Sequence, residues 1–162
     1  MVSGNALGKR ARATRDVSAS RSRQCTIPLR VRVLARTRDD DIDVLAEARA
    51  VIAVGKGVPP DEYAAIEPLR LALGAELGAT RKVTDEGWLP RSRQIGITGR
   101  SIAPRLLVSI GASGKFNHTI GMRAAHTVLA INNDANAPIF EHADYGIVGD
   151  WREVVPRLVA AL

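Results

Sequence analysis

With 162 residues, 46% of them hydrophobic, the chain has the size of one globular domain with a tail, and no apolar run reaches the roughly 18 residues that span a bilayer. The net charge of +6 is unevenly distributed: residues 1–38 hold ten Lys/Arg and one acid, whereas residues 39–162 hold thirteen Lys/Arg and sixteen acids, so the body is not expected to bind nucleic acid. The single cysteine, Cys25, excludes an internal disulfide and fits a reducing compartment, and the lack of an apolar run after the basic N-terminus argues against a secretory signal.

Residues 1–28 form a basic N-terminal segment that we expect to be a disordered tail. Its opening stretch, MVSGNALGKRARATRDVSASRSRQ, has few large apolar residues and many Arg, Ser and Ala, so it cannot bury a core. The composition leaves several interpretations open: a plain tail or a misassigned start, a mitochondrial-type transit peptide, or a segment that contacts nucleic acid. The single predicted domain occupies residues 29–162.

The first half of that domain alternates between strand and helix patterns. Residues 29–34 alternate apolar and basic side chains, which predicts a half-exposed edge strand, and an acidic turn then leads into a short helical piece, DVLAEA. The apolar run ARAVIAV predicts a buried strand that ends at the GKG sequence of residues 55–57. The segment EPLRLALGAELG predicts an amphipathic helix that ends at Gly78.

The second half continues the same alternation. A glycine-bearing loop, RQIGITGRSIAP, precedes a buried strand, RLLVSIGASG, and a short helix, NHTIGMRAA. A further strand, HTVLAINND, ends in polar residues, and YGIVGDWREVVPRLVAAL predicts a short strand and a terminal helix. Strands that alternate with helices indicate an α/β, Rossmann-like fold: a three-layer sandwich whose mostly parallel sheet carries helices on both faces.

Glycine-rich and polar clusters follow the predicted strands, where ligands bind in a doubly wound sheet. They lie at residues 55–57, 111–118, 132–134 and 150–151, and the QIGITGR loop is a fifth. Glycine lets backbone N–H groups approach a ligand, and a helix N-terminus adds unpaired donors, so the turn at Ser113-Gly114 suits a pyrophosphate. An ordinary strand-to-helix turn is an equally good interpretation, because neither a G-x-G-x-x-G nor a Walker A pattern is present.

Five segments carry a resemblance to a known family: AVIAVGKGV, GATRKVTDEGWLPRSRQIGITGR, IAPRLLVSIGASGKFNHTIGM, VLAINNDANAPIFEHADYGIVGD and VVPRL. In this order they make residues 43–162 resemble the C-terminal, FAD-binding domain of the electron transfer flavoprotein alpha subunit. The resemblance implies that FAD is bound by Lys56, Thr80, Arg81, Ile95, Gly96, Ile97, Thr98, Ser113, Gly114, Lys115, Phe116, Asn117, His118, Asn132, Asp150 and Trp151.

Some of these positions depart from the family pattern. Lys56 stands where the family has an arginine that touches the cofactor, so the charge is kept but the planar fork is lost. Ile97 stands where the family has a glutamine, which removes a side-chain hydrogen bond. Thr80 and Arg81 replace a serine-arginine pair and keep its hydroxyl and guanidinium, and Thr98, the family residue next to flavin N5, is retained.

The resemblance gives His118 a specific role. In a reduced flavin, negative charge builds on the N1/C2=O edge, and His118 would donate a hydrogen bond to that carbonyl while Arg81 adds positive charge beside the ring. Asn132 and Asp150 correspond to residues near the adenosine end. Asp150 with Glu153 also fits a capping box for the last helix, and capping and ribose contact are compatible.

The resemblance implies an electron carrier rather than an enzyme. Family members pair with a beta subunit, accept electrons from flavin dehydrogenases such as the acyl-CoA dehydrogenases of fatty acid β-oxidation, and pass them to a membrane-bound quinone oxidoreductase. The family's alpha subunit carries a whole domain before this one, where about forty unrelated residues stand here, so the pairing is open. The expected location is the cytoplasm for a bacterial chain and the mitochondrial matrix for a eukaryotic one.

Two alternative functions remain open. One is a truncated pseudo-carrier that folds but binds FAD weakly, which Lys56 and Ile97 favour. The other is an enzyme on the same fold, with His118 as a general base near Ser113. No Cys/His cluster has metal-ligand spacing, so no metal site is expected, and neither is stable membrane insertion.

Overall fold

The computed structural model describes residues 42–162. Its helices are α1 (Ile42–Glu47), α2 (Glu67–Leu73), α3 (Arg81–Asp85), α4 (Phe116–Thr119) and α5 (Trp151–Ala161), and its strands are β1 (Ala50–Val54), β2 (Glu76–Ala79), β3 (Leu106–Ile110), β4 (Val128–Asn132) and β5 (Tyr145–Val148). Short 3-10 turns occupy Pro60–Ala65, Arg91–Arg93, Ile120–Met122 and Pro138–His142. The tail predicted at residues 1–28 and the strand predicted at residues 29–34 lie outside the described residues.

The strands form one parallel sheet with the order β2-β1-β3-β4-β5. Ile52 in the middle of β1 pairs with Leu77 of β2 on one side and with Val108 of β3 on the other. The chain first adds β2 outside β1 and then returns to place β3 on the opposite side, so the strand order reverses between β1 and β3. In parallel sheets this reversal opens a crevice at the carboxyl ends of the two strands.

Two apolar clusters, one on each face of the sheet, produce the three layers. Every residue of β1 is buried, as expected for a central parallel strand. Ile52 belongs to the cluster that includes Leu69 of α2 and Val155 of α5. Val51, which points to the opposite face, belongs to the cluster that includes Leu45 of α1. Burial of each large side chain contributes roughly 1.5–3 kcal/mol to the stability of the fold. The Rossmann-like sandwich predicted from the sequence is confirmed.

The predicted helix that ends at Gly78 is wrong beyond Leu73. Gly74 adopts a left-handed conformation, with φ of 56°, and closes α2 there. Residues 76–79 then form β2 and pair with β1. The hydrogen-bond ladder offered by the free edge of β1 outweighs the helical preference of Glu, Leu and Ala in this short segment.

The helix predicted in NHTIGMRAA is present but shorter. It occupies Phe116–Thr119 as α4 and continues as a 3-10 turn through Met122. A single helical turn has a small dipole, so binding of an anion near Ser113-Gly114 would depend mainly on loop backbone and on cationic side chains. Within residues 42–162, no helix combines the length and apolar character that crossing a bilayer requires.

Candidate functional site

Two loops cross at the carboxyl ends of β1 and β3. The Gly55 N–H donates to the Ile110 carbonyl at 2.8 Å, and the Gly57 N–H donates to the Gly111 carbonyl at 3.1 Å. A Cβ atom on residue 55 would lie 2.2 Å from the Gly111 oxygen, and Gly111 has φ of 63°. These glycines are therefore required by the backbone crossing itself, which forms the floor of the site.

A cavity of about 370 Å³, the larger cavity, opens beside this crossing. It brings together residues from the loop after β1, from α3, from the loop after Arg93 and from the loop between β3 and α4. The predicted cofactor residues that line it are Lys56, Thr80, Arg81, Ile95, Thr98, Ser113, Gly114, Lys115, Asn117 and His118. The lining residues that the sequence did not single out include Lys82, Asp85, Gln94 and Ala112.

A second cavity of about 80 Å³, the smaller cavity, adjoins the first because Gly111 lines both. It lies at the carboxyl end of β4 and the start of α5. Asn132, Asp150 and Trp151 are the predicted residues in its lining, together with Arg152, which the sequence analysis missed.

Three predicted residues line neither cavity. Gly96 is buried, and its N–H donates to the Arg100 carbonyl at 3.0 Å. Ile97 and Phe116 are large apolar side chains that are 54% and 58% exposed. The Ile97 N–H donates to the Asn117 carbonyl at 2.8 Å, and this bond connects the glycine loop to α4.

His118 is buried, with 6% of its surface exposed. Its Nδ1 lies 3.1 Å from the Ile95 carbonyl oxygen, which can only accept, so Nδ1 carries the hydrogen. Nε2 has no hydrogen-bond partner and is an acceptor in the neutral ring. Burial lowers the pKa of His118 below its ordinary value, although the Ile95 hydrogen bond opposes this effect. The donor role implied by the resemblance therefore requires a second proton on the ring.

Gln94 is a fully buried polar residue that connects two walls of the larger cavity. Its Nε2 donates to Thr98 Oγ1 at 2.8 Å, and its Oε1 accepts from the Thr84 hydroxyl at 2.9 Å. Its backbone carbonyl also accepts from the Arg100 N–H at 2.7 Å. Sequence reasoning missed Gln94 because a single glutamine before a glycine carries no motif, and its complete burial is visible only in the fold.

Two of the four cations that line the larger cavity are paired with carboxylates at the end of α3. Lys56 pairs with Glu86, and Arg81 Nε lies 3.1 Å from Asp85 Oδ2. More than half of each cationic side chain is exposed, so these pairs are weak and can be exchanged for a ligand. Residues 87–133 contain six Lys/Arg and no Asp or Glu. The larger cavity itself is lined by one carboxylate, Asp85, and four cations, so it suits an anionic ligand.

Thr80 and Arg81 lie at the junction between β2 and α3. Thr80 occupies the N-cap position of α3 but makes no side-chain hydrogen bond to the helix. Its hydroxyl is therefore available to a ligand in the larger cavity.

Asn132 already supports the fold at the end of β4. Its Nδ2 donates to the Ala112 carbonyl at 2.9 Å, and its Oδ1 accepts from the Asp134 N–H at 3.0 Å. The side chain thereby fixes the loop after β3 against the loop after β4. Each polar atom keeps one further hydrogen-bonding position for a ligand.

Asp150 caps α5 as predicted, but its side chain accepts from the Arg152 N–H and not from the Glu153 N–H, which a capping box would use. Its Oδ1 accepts from the Arg152 N–H at 2.9 Å. Arg152 in turn donates two hydrogen bonds to the Glu62 carboxylate, at 2.5 and 2.6 Å. These hydrogen bonds lower the pKa of Glu62 below its ordinary value. Trp151 is 5% exposed and its indole N–H donates to the Gly57 carbonyl at 3.1 Å.

Among residues 42–162, no group of His, Cys, Asp or Glu side chains is arranged to hold a metal ion.

The segment that builds the larger cavity matches a known protein family, and known proteins are similar in sequence to most of this chain. Residues 44–123 match the family model of the electron transfer flavoprotein FAD-binding domain. Protein FixB from Escherichia coli O139:H28 (strain E24377A / ETEC) is 42% identical over 133 residues, and Protein FixB from Escherichia coli O17:K52:H18 (strain UMN026 / ExPEC) has the same identity over the same length. Both alignments cover 81% of this chain and 42% of the relative, so the chain spans less than half the length of these relatives.

Solved structures give a weaker similarity. A Mycobacterium smegmatis structure described as a thiamin diphosphate-dependent enzyme aligns with 75% of this chain and 26% of its own, at 17% identity and a TM-score of 0.44. That score is too low to support an argument. The family match contains every predicted residue of the larger cavity, from Lys56 to His118. On the strength of this match and of the FixB relatives, residues 44–123 form an FAD-binding domain of the electron transfer flavoprotein alpha type.

Proposed function

We propose that this chain binds FAD in the two adjoining cavities and uses it to carry electrons. The observation that carries the proposal is the position of the larger cavity, which lies where the strand order reverses and is built from the segment that matches the FAD-binding domain. Crevices at this point of a parallel sheet are where nucleotide cofactors bind. Because the chain spans 42% of its FixB relatives, the activity of the whole protein is part of the proposal.

The residues present fit FAD. A volume of about 370 Å³ is typical of small-molecule sites, and the acid-free segment 87–133 suits a pyrophosphate. The buried Nε2 of His118 has no protein partner, and such an atom is normally satisfied by a ligand or by water. We assign the larger cavity to the flavin and the pyrophosphate, and the smaller cavity to the adenosine half.

The chain would hold the cofactor through cations, backbone groups and amides. We assign the pyrophosphate to Lys56 and to the backbone of Ser113-Gly114, and the adenosine half to Asn132 and Asp150. Arg81 and Thr98 are assigned to the flavin end. The glycine floor allows close approach of the backbone N–H groups, and the exposed ion pairs of the cations are weak enough to be replaced by phosphate.

His118 would control a proton beside the cofactor. Bound FAD supplies a ring that accepts and releases electrons one at a time. The Ile95 carbonyl holds Nδ1–H of His118 and leaves Nε2 without a hydrogen. A negative charge nearby raises the pKa of an imidazole, so Nε2 would take up a proton when negative charge accumulates in the larger cavity. His118 would then become the hydrogen-bond donor that the family resemblance implies.

The two alternatives receive less support. In the described contacts His118 is oriented by the Ile95 carbonyl and not by a carboxylate, which disfavours a general base acting with Ser113. A pseudo-carrier is favoured by the pairing of Lys56 with Glu86 and by the exposure of Ile97 outside both cavities. These two alternatives differ from the carrier in what they predict for cofactor affinity.

The partners follow from family membership alone. We propose pairing with an electron transfer flavoprotein beta subunit, electron donors among flavin dehydrogenases such as acyl-CoA dehydrogenases, and a membrane-bound quinone oxidoreductase as acceptor. The FixB relatives are bacterial, which favours the cytoplasm over the mitochondrial matrix. Co-purification with a beta subunit tests the pairing.

Reconstitution with FAD tests the central proposal. After incubation with FAD and gel filtration, we expect a yellow protein that releases FAD on denaturation, and stepwise reduction of the bound flavin in a redox titration. Binding detectable only at high FAD concentration would favour the pseudo-carrier. A colourless protein would contradict the proposal. Arg157→Ala, on α5 and outside both linings, is a matched control and should bind FAD as the wild type does.

A further inference from the structure

Gln94 is held between two elements that form opposite parts of the larger cavity. On one side, Ile95 donates to the Ala79 carbonyl at 2.9 Å, so the backbone is fixed to the end of β2. On the other side, the Gln94 backbone carbonyl accepts from the Arg100 N–H and closes the glycine loop. The backbone around residue 94 is therefore held on both sides, and the residue is 0% exposed.

The bond between Gln94 and Thr98 determines what the Thr98 hydroxyl can do. An amide nitrogen only donates, so Thr98 Oγ1 is the acceptor in the 2.8 Å contact with Gln94 Nε2. A threonine hydroxyl has one hydrogen and two lone pairs. With a lone pair engaged by Gln94, the hydrogen of Thr98 stays available to an acceptor atom in the larger cavity, which Thr98 lines.

The other end of the Gln94 amide faces Thr84. Its Oγ1 lies 2.9 Å from Gln94 Oε1, which only accepts, and 2.9 Å from the Arg81 carbonyl. The single hydrogen of the Thr84 hydroxyl can go to only one of these two acceptors, and when it goes to Oε1, Nε2 is directed at Thr98. In the reverse orientation of the amide, Thr98 would donate to Gln94 and would have no hydrogen for a ligand.

From these contacts we infer that Gln94 is a positioning residue: it fixes the Thr98 hydroxyl as a hydrogen-bond donor to the cofactor. The inference rests on the proposed FAD site and adds a residue that acts on the cofactor through Thr98. It also explains why a fully buried glutamine lies next to an exposed threonine at the edge of the cavity.

A double-mutant cycle on FAD affinity tests the inference. Gln94→Met and Thr98→Val should each weaken FAD binding about three- to tenfold in a fluorescence titration, because each removes the contribution of one oriented hydrogen bond. The double variant should be no weaker than the weaker single variant, since both changes remove the same donor. Thr98→Ser keeps the hydroxyl and should restore wild-type affinity. Circular dichroism checks that each variant is folded.

The possible outcomes separate the two proposals. If the wild type binds FAD but the two losses add, Gln94 acts independently of Thr98 and the inference is overturned. If Gln94→Met leaves affinity unchanged or tightens it, the amide has the reverse orientation and the inference is also overturned. A wild type that binds no FAD overturns the proposed function and the inference with it. If Gln94→Met does not fold, Thr84→Val replaces it and should show the same coupling to Thr98→Val.

Discussion

At the scale of single residues, His118 shows how burial determines the chemistry of a side chain. Its pKa is lowered in the folded protein, so the unfolded chain takes up this proton at higher pH than the folded one does. The free energy of unfolding should be unaffected by His118 above about pH 7 and should fall below about pH 6.5, by up to about 1.4 kcal/mol per pH unit, until the folded group also titrates. Urea unfolding of the apo protein at a series of pH values measures this.

Variants isolate the contribution of His118. His118→Gln removes the titrating group and should flatten the fall in stability between about pH 6.5 and pH 5 relative to the wild type. His126 is exposed, so His126→Gln should leave the wild-type profile unchanged. Identical profiles for the wild type and His118→Gln would show that the imidazole takes up its proton equally easily in both states.

Lys56 is the second residue whose chemistry can be tested directly. Lys56→Arg should tighten FAD binding about fivefold, because a bidentate guanidinium holds phosphate better than a point charge, and Lys56→Ala should weaken it. Glu86→Gln frees Lys56 from its ion pair and should also tighten binding. Equal affinity of all these proteins in a fluorescence titration would remove Lys56 from the cofactor site.

At the scale of elements, the left-handed glycine that ends α2 separates a helix from a strand. A Cβ atom at residue 74 would meet nothing within 4 Å, so Gly74→Ala tests the backbone conformation alone. It should destabilise the protein by roughly 1 kcal/mol, and Gly74→Asn by less, because asparagine tolerates the left-handed region better. Urea midpoints measure both variants. An unchanged midpoint for Gly74→Ala would show that the helix end does not depend on this conformation.

Elements with one strong signal could be predicted from the sequence, and elements with competing signals could not. β1 is a continuous apolar run and β3 is apolar except for Ser109, which favours buried strands, and the structure has both where they were expected. β2 has four residues without a β-branched side chain, and only its pairing with β1 makes it a strand. Its existence therefore depends on tertiary contacts that local propensity does not contain.

The same distinction applies to the candidate site. The residues of the larger cavity were found because family motifs carry them in short strings. Gln94 was missed because its importance comes from complete burial, and the pairing of Lys56 with Glu86 was missed because the two residues are thirty positions apart. Contacts between distant segments have no pattern within a single sequence.

At the scale of the whole molecule, the sheet places two cavities side by side, and this arrangement predicts a preference among flavins. FAD should bind more tightly than FMN, because only FAD has an adenosine half that can reach the smaller cavity beside Asn132 and Asp150. The tighter ligand should also raise the thermal midpoint more at equal concentration. Fluorescence titration and thermal melting with each flavin measure the difference, and equal affinity would mean that the smaller cavity is not used.

The crossing of the two glycine loops has a consequence for any experiment that screens large sets of variants. Substitution at Gly55 or Gly111 forces the two backbones apart, so such variants would be lost through misfolding, although no side chain there touches a ligand. A map of mutational tolerance based on cofactor loading would therefore mark this floor as if it were a contact surface. Counting the yield of folded protein for each variant separates the two causes. Directed evolution of flavin preference should accordingly vary the side chains that line the larger cavity, such as Lys56 and Thr98. It should leave Gly55 and Gly111 unchanged.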